Sequence, residues 1–256
     1  MTPLLTVKPS NLLKIKNSTL ILKSPASSGG FQNIYSCEFD GIDDYISTNL
    51  VTNTYDFKNG FTASLWVYLD DNSTTQDFFG RFGDSVGRFY FGINGSNVRA
   101  AIGTTFNQST LSHGMSTGQW YHVAYTFTGG TNGTFTYYLN GSSGGTLTFT
   151  WTSDSAAWEP MHIGALHNGT QNSQNPTDGK IDEFSLFNAV LSSSDISNIY
   201  NGGTPTDLSG ESDLVAWWRM GDGTENGTGS TVYDMSANTN NGTLENDTSF
   251  VESVPS

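Results

Sequence analysis

In this 256-residue chain the residues best suited to chemistry are the adjacent acids Asp182 and Glu183, within Gly179-Lys180-Ile181-Asp182-Glu183-Phe184-Ser185-Leu186-Phe187. Strand alternation puts Ile181, Glu183, Ser185 and Phe187 on one face and Asp182, Phe184 and Leu186 on the other. Asp182 then shares its face with two apolar residues. A carboxylate pointed into a core needs hydrogen bonds, a cation or a metal, because burying it bare costs several kcal/mol. A second acidic group stands in Phe39-Asp40-Gly41-Ile42-Asp43-Asp44-Tyr45-Ile46. Trp151 and Trp158 flank a polar stretch, residues 152–157, where exposed indoles would stack on a sugar ring while Asp154 and Glu159 accept hydroxyl hydrogen bonds. Either tryptophan could instead cover the edge of a sandwich. His167 opens a second long polar loop that runs to Asn175.

The elements that must position these groups are mostly strands. Phe61-Thr62-Ala63-Ser64-Leu65-Trp66-Val67-Tyr68 alternates, with Phe61, Ala63, Leu65 and Val67 on one face and Trp66 and Tyr68 on the other. Similar patterns predict strands at 77–81, 88–93, 97–102, 120–127, 135–139, 147–149 and 161–164, with Asn94-Gly95, Asn132-Gly133 and Asn140-Gly141 as hairpin turns. One short helix is predicted near residues 192–200, where Ser192 stands three before Asp195 and Gly202 supplies the stop. About ten short strands with almost no helix predict a two-sheet antiparallel sandwich or jelly roll.

The formal net charge of −14 repels nucleic acid and anionic membranes. A single cysteine, Cys37, removes any intrachain disulfide or cysteine zinc cage. No apolar run approaches the roughly 18 residues that span a bilayer, and the first 23 residues lack the apolar core and cleavage site of a secretory signal. Residues 1–30 carry Lys8, Lys14, Lys16 and Lys23 and no acid. They read as a basic arm that docks on an acidic partner or a neighbouring copy, or as an edge hairpin on their own acidic domain.

Phe39 to Ile46, Phe61 to Val67, Gly118-Gln119-Trp120-Tyr121-His122-Val123-Ala124, Tyr138-Leu139-Asn140-Gly141, Ile163-Gly164 and Gly179 to Glu183 follow one another in an order that resembles the laminin G-like and pentraxin-like jelly rolls of the concanavalin A-like superfamily. The resemblance covers about residues 31–205. It implies an all-β fold with loops at the rim of a concave sheet, but not one function. Relatives often hold calcium with carboxylates and carbonyls, which implies Asp40 and Asp182 as a pair of ligands for a structural Ca2+. The other reading gives Asp40 a turn-capping role and Asp182 ordinary hydrogen-bond partners.

Glucanases of the same superfamily carry Glu-x-Asp-x-x-Glu on the active strand. Here Lys180 stands two before Asp182 and Ser185 three after it, so both glutamates are missing. His113, His122, His162 and His167 show no metal-ligand spacing, and no Ser-His-Asp or Cys-His constellation can be assembled. No catalytic residue is assigned.

Residues 206–256 hold Leu214-Val215-Ala216-Trp217-Trp218-Arg219 and Thr231 to Leu244, which resemble the segment that usually precedes such a jelly roll. An unpaired strand with two tryptophans is an aggregation hazard, so this extension is expected to pair with the sandwich or with a neighbouring subunit. The arrangement is similar to that of marine bacteriophage structural proteins. The expectation is therefore a non-enzymatic, oligomeric protein of a virion surface, bound to other virion proteins or to copies of itself, with weak binding of host glycans. The alternative is an extracellular bacterial carbohydrate-binding or adhesion module. For either, Trp151, Asp154, Trp158 and His167 are the expected glycan contacts.

Overall fold

The structure is a computed structural model that describes the chain apart from residues 1–13, 16–17, 20–30, 52–54, 83–86, 153–159 and 224–225, and apart from the side chains of 14–15, 18–19 and 106–109. It divides into two units, Met1–Gln32 and Asn33–Ser256. In the first, β1 (Lys14–Ile15) and β2 (Ser18–Thr19) pair antiparallel. The rest of the expected basic arm lies outside the described residues.

The second unit contains, in chain order, β3 (Ser36–Asp40), β4 (Tyr45–Thr48), β5 (Phe61–Leu69), β6 (Thr75–Phe82), β7 (Arg88–Asn94), β8 (Asn97–Gly103), β9 (Thr105–Ser112), β10 (Trp120–Phe127), β11 (Gly130–Leu139), β12 (Ser142–Trp151), β13 (His162–Ile163), β14 (Asp178–Phe187), α1 (Ser193–Tyr200), β15 (Leu214–Trp218), β16 (Thr231–Val232), β17 (Gly242–Glu245) and β18 (Ser249–Val251). Among the described residues every pairing of these strands is antiparallel. The first sheet runs β12-β11-β10-β5-β14-β3-β18, with β15 also on β14, and the second runs β16-β17-β4-β13-β6-β7-β8-β9. This is the expected two-sheet jelly-roll sandwich, with a single short α-helix among the described residues.

Alternation fills the space between the sheets. Phe61, Ala63, Leu65 and Val67 of β5 meet Phe89, Phe91 and Ile93 of β7 and Val98, Ala100 and Ile102 of β8 in one core. Its centre is aromatic: the rings of Phe61 and Phe89 lie 5.0 Å apart edge to face, and those of Phe79 and Phe184 4.5 Å apart. Each such pair adds about 0.5–1.5 kcal/mol beyond the area it buries. Asn140 and Gly141 both take positive φ, 47° and 74°, in the two-residue turn between β11 and β12 that only such residues fit comfortably. Asn132-Gly133 differs from expectation: it lies inside β11, at a register shift, and makes no hairpin.

A bulge in β14 changes the faces predicted for that strand. Asp182 pairs with Trp66 and Ser185 with Ser64, so Glu183 and Phe184 together oppose the single residue Leu65. Glu183 absorbs the extra residue with a φ of 48°, a left-handed conformation that costs a non-glycine residue about 1–2 kcal/mol. Phe184 and Leu186 still face the core, whereas Asp182 faces outward with Trp66. Asp182 is nonetheless wholly buried.

The burial of that outer face comes from two later parts of the chain. Helix α1 carries the capping box of Ser192 and Asp195 and ends at Asn201 in the left-handed conformation, one residue before the predicted Gly202; its Ile196 packs on Ala124 and Tyr138. The C-terminal strands join both sheets: β15 on β14, β17 on β4 and β18 on β3. Trp217 and Trp218 are buried, their indole N–H groups donating to Glu183 Oε2 and Asn240 O at 2.6 and 2.8 Å. No helix among the described residues is long and apolar enough to cross a membrane.

Candidate functional site

The two sheets finish their outer faces differently. On the first, Asn33, Trp217, Arg219 and Asp222 close over Asp182 and Glu183. Asn33 Nδ2 donates to Asp182 Oδ2 at 2.8 Å, the Glu183 amide to Asp182 Oδ1 at 2.8 Å, and Arg219 Nε to Glu183 Oε1 at 3.0 Å. Arg219 Nη2 is also 3.7 Å from Asp222, whose Oδ2 accepts the Ile34 amide at 2.8 Å. Burial pushes the Asp182 carboxyl well up, and the neighbouring Glu183 adds to it. Burial also raises Glu183, to about 7, against the pull of Arg219. The group ties the C-terminal segment to the sheet, and its acids and its arginine are buried.

The structure also joins Ser64 and His122, the Oγ lying 2.7 Å from Nε2. Both are buried, and the other ring nitrogen of His122, Nδ1, is buried with no hydrogen-bond partner. Burial holds the imidazole down to about 3. An imidazole without an orienting carboxylate, sealed under Trp66 and Tyr200, is a packing pair and not a nucleophile with its base.

On the outer face of the second sheet, where Tyr90, Arg99 and Ala101 are buried, the strands and the segment 164–177 build a cavity. Alternation that sends Phe89 and Phe91 inward sends Arg88 and Tyr90 outward on β7; on β8 it sends Val98 and Ala100 inward and Arg99 and Ala101 outward. Opposite Tyr90 stands Gly80, where an added Cβ would lie 2.2 Å from the tyrosine Cβ. The glycine lets the ring lie close on β6. A cavity of about 260 Å³ is lined by Phe82, Arg88, Tyr90, Arg99, Leu166 and Gln174, just below the roughly 300–1,000 Å³ of ordinary ligand pockets. The Arg99 guanidinium lies 4.8 Å over the Tyr90 ring and that of Arg88 5.3 Å over Phe82. Burial pushes the Tyr90 phenol up to about 12, so it stays neutral.

Asp77 fixes this arrangement from beneath. One carboxylate oxygen accepts Arg99 Nε and the other Asn175 Nδ2, both at 2.8 Å. Burial raises its carboxyl, and Arg99 and Asn175 pull against the rise. Asn175 belongs to the segment 164–177, which supplies Leu166 and Gln174 to the cavity and is pinned by the Leu166–Gln174 and Arg81–His167 bridges.

Of the residues expected from sequence, none of those described lines this cavity. Trp151 is 1% exposed and packs on Phe89 inside the core, so no sugar can stack on it. Asp154 and Trp158 lie outside the described residues. His167 is buried, its ring stacked 4.3 Å from that of His162, with Nδ1 3.1 Å from Pro160 O; it anchors the strap beside the cavity. Asp40 and Asp182 form no pair. Asp40 stands opposite Asp178, four residues along β14 from Asp182, which at about 3.3 Å per residue is roughly 13 Å. Asp40 instead converges with Asp43 and Asp44, their oxygens within 4.8 Å of one another. This all-oxygen set suits calcium chemically. Asp44 already accepts the amides of Asp40 and Asp247, at 3.0 and 2.9 Å, and Asp40 accepts that of Ile42 at 2.8 Å. The signal that could have found the cavity is that three of the four arginines, Arg81, Arg88 and Arg99, fall within 19 residues of one another, one on each of β6, β7 and β8.

A family model described as the concanavalin A-like lectin/glucanases superfamily matches residues 40–197. Among solved structures, a candidate carbohydrate-binding protein from Bacteroides ovatus superposes with a TM-score of 0.63 at 20% identity, over 88% of this chain and 62% of that one. This chain thus spans less than two thirds of that protein's length. A heptameric SAP-like pentraxin from Limulus polyphemus superposes with a TM-score of 0.51 at 15% identity, over 66% of this chain and 82% of that one. At these identities the likeness is one of fold. No curated protein sequence matches.

Proposed function

We propose that the chain, which belongs to the concanavalin A-like lectin/glucanases superfamily, binds carbohydrate without catalysis, at the cavity on the outer face of the second sheet. The observation that carries this is the cavity's construction. Arginine and aromatic side chains stack in pairs, with the Gln174 amide beside them, on strands whose other face is the core. Aromatic edges and planar hydrogen-bond donors around a small concavity are what a sugar ring and its hydroxyls require. The fold shared with the Bacteroides ovatus protein supports the same reading, and an extracellular place of action goes with it. Lys180 and Ser185, where a glucanase has glutamates, argue against hydrolysis. No feature of the fold or the cavity supports the virion-surface expectation, and the carbohydrate-binding alternative replaces it. In the same reading a structural calcium ion would be held by Asp40, Asp43 and Asp44.

A glycan array followed by titration calorimetry tests the site. The wild-type protein is expected to bind a defined subset of glycans, and Gln174→Ala and Arg88→Ala to weaken binding roughly tenfold with unchanged melting. No binding by the wild type, or binding indifferent to both substitutions, overturns the assignment.

A further inference from the structure

We propose that the cavity selects an N-acetylated sugar, and that Asn168 is the positioning residue behind this choice because it fixes the amide of Gln174. The inference rests on the carbohydrate-binding reading and adds the ligand's substituent. A side-chain amide can present either its oxygen or its NH2 group, so the end that meets a ligand depends on what holds the other end. Here the backbone decides. The amides of Thr170 and Gln171 donate to Asn168 Oδ1 at 3.2 and 2.8 Å, and the Thr170 hydroxyl joins them at 3.1 Å. Backbone N–H groups only donate, so the atom they meet is the oxygen, and Nδ2 is free to donate elsewhere. Asn168 Nδ2 donates to Gln174 Oε1 at 2.9 Å and to Gln171 Oε1 at 3.2 Å. Gln174 Oε1 is thereby occupied. The end left to the cavity that Gln174 lines is Nε2, which only donates.

The neighbour of that donor is apolar. Leu166 and Gln174 are partners in an antiparallel bridge, their amides donating to each other's carbonyls at 2.9 and 3.0 Å. Such partners carry their side chains on one face, with Cβ atoms about 5 Å apart. Leu166 also packs with Tyr90, Ala101 and Phe82 in a small apolar cluster separate from the core. A donor beside an apolar wall matches an acetamido group, whose carbonyl oxygen only accepts and whose methyl group stands next to it. A hydroxyl in the same place would accept from Nε2 but set its own O–H against the apolar wall.

The test compares the methyl glycosides of N-acetylglucosamine and N-acetylgalactosamine with those of glucose and galactose, by titration calorimetry and ligand-observed NMR. At least one acetamido sugar is expected to bind roughly tenfold more tightly than its hydroxyl counterpart. Asn168→Asp keeps an acceptor for the Thr170 and Gln171 amides, while its second oxygen accepts from Gln174 Nε2 and turns Oε1 to the cavity. That variant, with its fold checked by circular dichroism, should bring the ratio close to one. Gln174→Glu, which presents an acceptor directly, should do the same. If Asn168→Asp weakens both members of a pair equally and keeps the ratio, the positioning role is overturned. Equal binding of both members by the wild type, or a preference for the hydroxyl form, overturns the acetamido assignment and leaves carbohydrate binding standing. So does binding of other glycans on the array without binding of either acetamido sugar. Failure to bind any glycan overturns both readings.

Discussion

The fold treats two groups of acids on this sandwich in opposite ways. On the outer face of the first sheet, Asp182, Glu183 and Asp222 are all buried, with the Arg219 guanidinium against Glu183 and Asp222 and the Asn33 amide against Asp182. In the turn after β3, Asp40 and Asp43 are exposed, and buried Asp44 spends its oxygens on backbone amides. Water can solvate the charges of the second group. The first has lost its water, so it must balance charge with a cation, with donors or with protons. Each group brings three carboxylates together; solvent access decides whether they become a pH-dependent seal or an exposed hydrogen-bonded turn.

The largest effect should come from removing the only cation of the buried group. Arg219→Met is expected to cost about 3–5 kcal/mol, read as a lower urea midpoint at pH 8. The loss should shrink at pH 5, where Glu183 carries a proton. An equal loss at both pH values would mean that the seal is held by packing and not by charge.

A smaller effect follows from the titration itself. Glu183 moves from 4.5 to about 7 on folding, and Asp182 shifts in the same direction. Between these values the native state holds more protons than the unfolded state, so stability falls as pH rises through that window, by roughly 1–3 kcal/mol. Buried His122 and His162, held down to about 3 and about 4, act with the opposite sign and remove stability as pH falls below 6.5. Maximum stability is thus expected in mild acid. Denaturation curves for wild type and Glu183→Gln separate the terms: the wild type should lose ground to the variant between pH 4.5 and 7, and parallel curves would rule the carboxyl out.

The smallest effect concerns the exposed turn. Calcium at a few millimolar is expected to stabilise the wild type by about 1–2 kcal/mol, a melting shift of about 2–6 °C, if its affinity is that of an extracellular calcium module. Asp43→Asn should remove the shift. An unchanged melting temperature in the wild type would leave the turn as a hydrogen-bonded element only.

Much of the fold was readable because its signals are local. The alternation of Phe61 to Tyr68, the Asn140-Gly141 turn and the Ser192 capping box depend on neighbours within a few residues. The site was not readable in the same way. Trp151 looked like a surface indole because it borders a polar stretch, yet it ends β12 with its ring among core phenylalanines. Asp182 and Asp40 looked like a pair because each belongs to an acidic strand motif, but the register of β14 on β3 holds them apart.

By itself the sequence determined the class of fold, the missing glucanase glutamates and the absence of a disulfide, since each follows from residue identity and short-range periodicity. Only the tertiary structure decided three things: which way Asp182 faces, what seals it, and where a ligand could enter. One extra residue at Glu183 reversed the strand's faces. A segment more than 30 residues downstream supplied Arg219 and Trp217 to cover it. Arg88, Arg99 and Gln174 meet only because β7, β8 and the strap after β13 converge on one face of one sheet. Such contacts depend on strand order and register, which no local pattern of residues encodes.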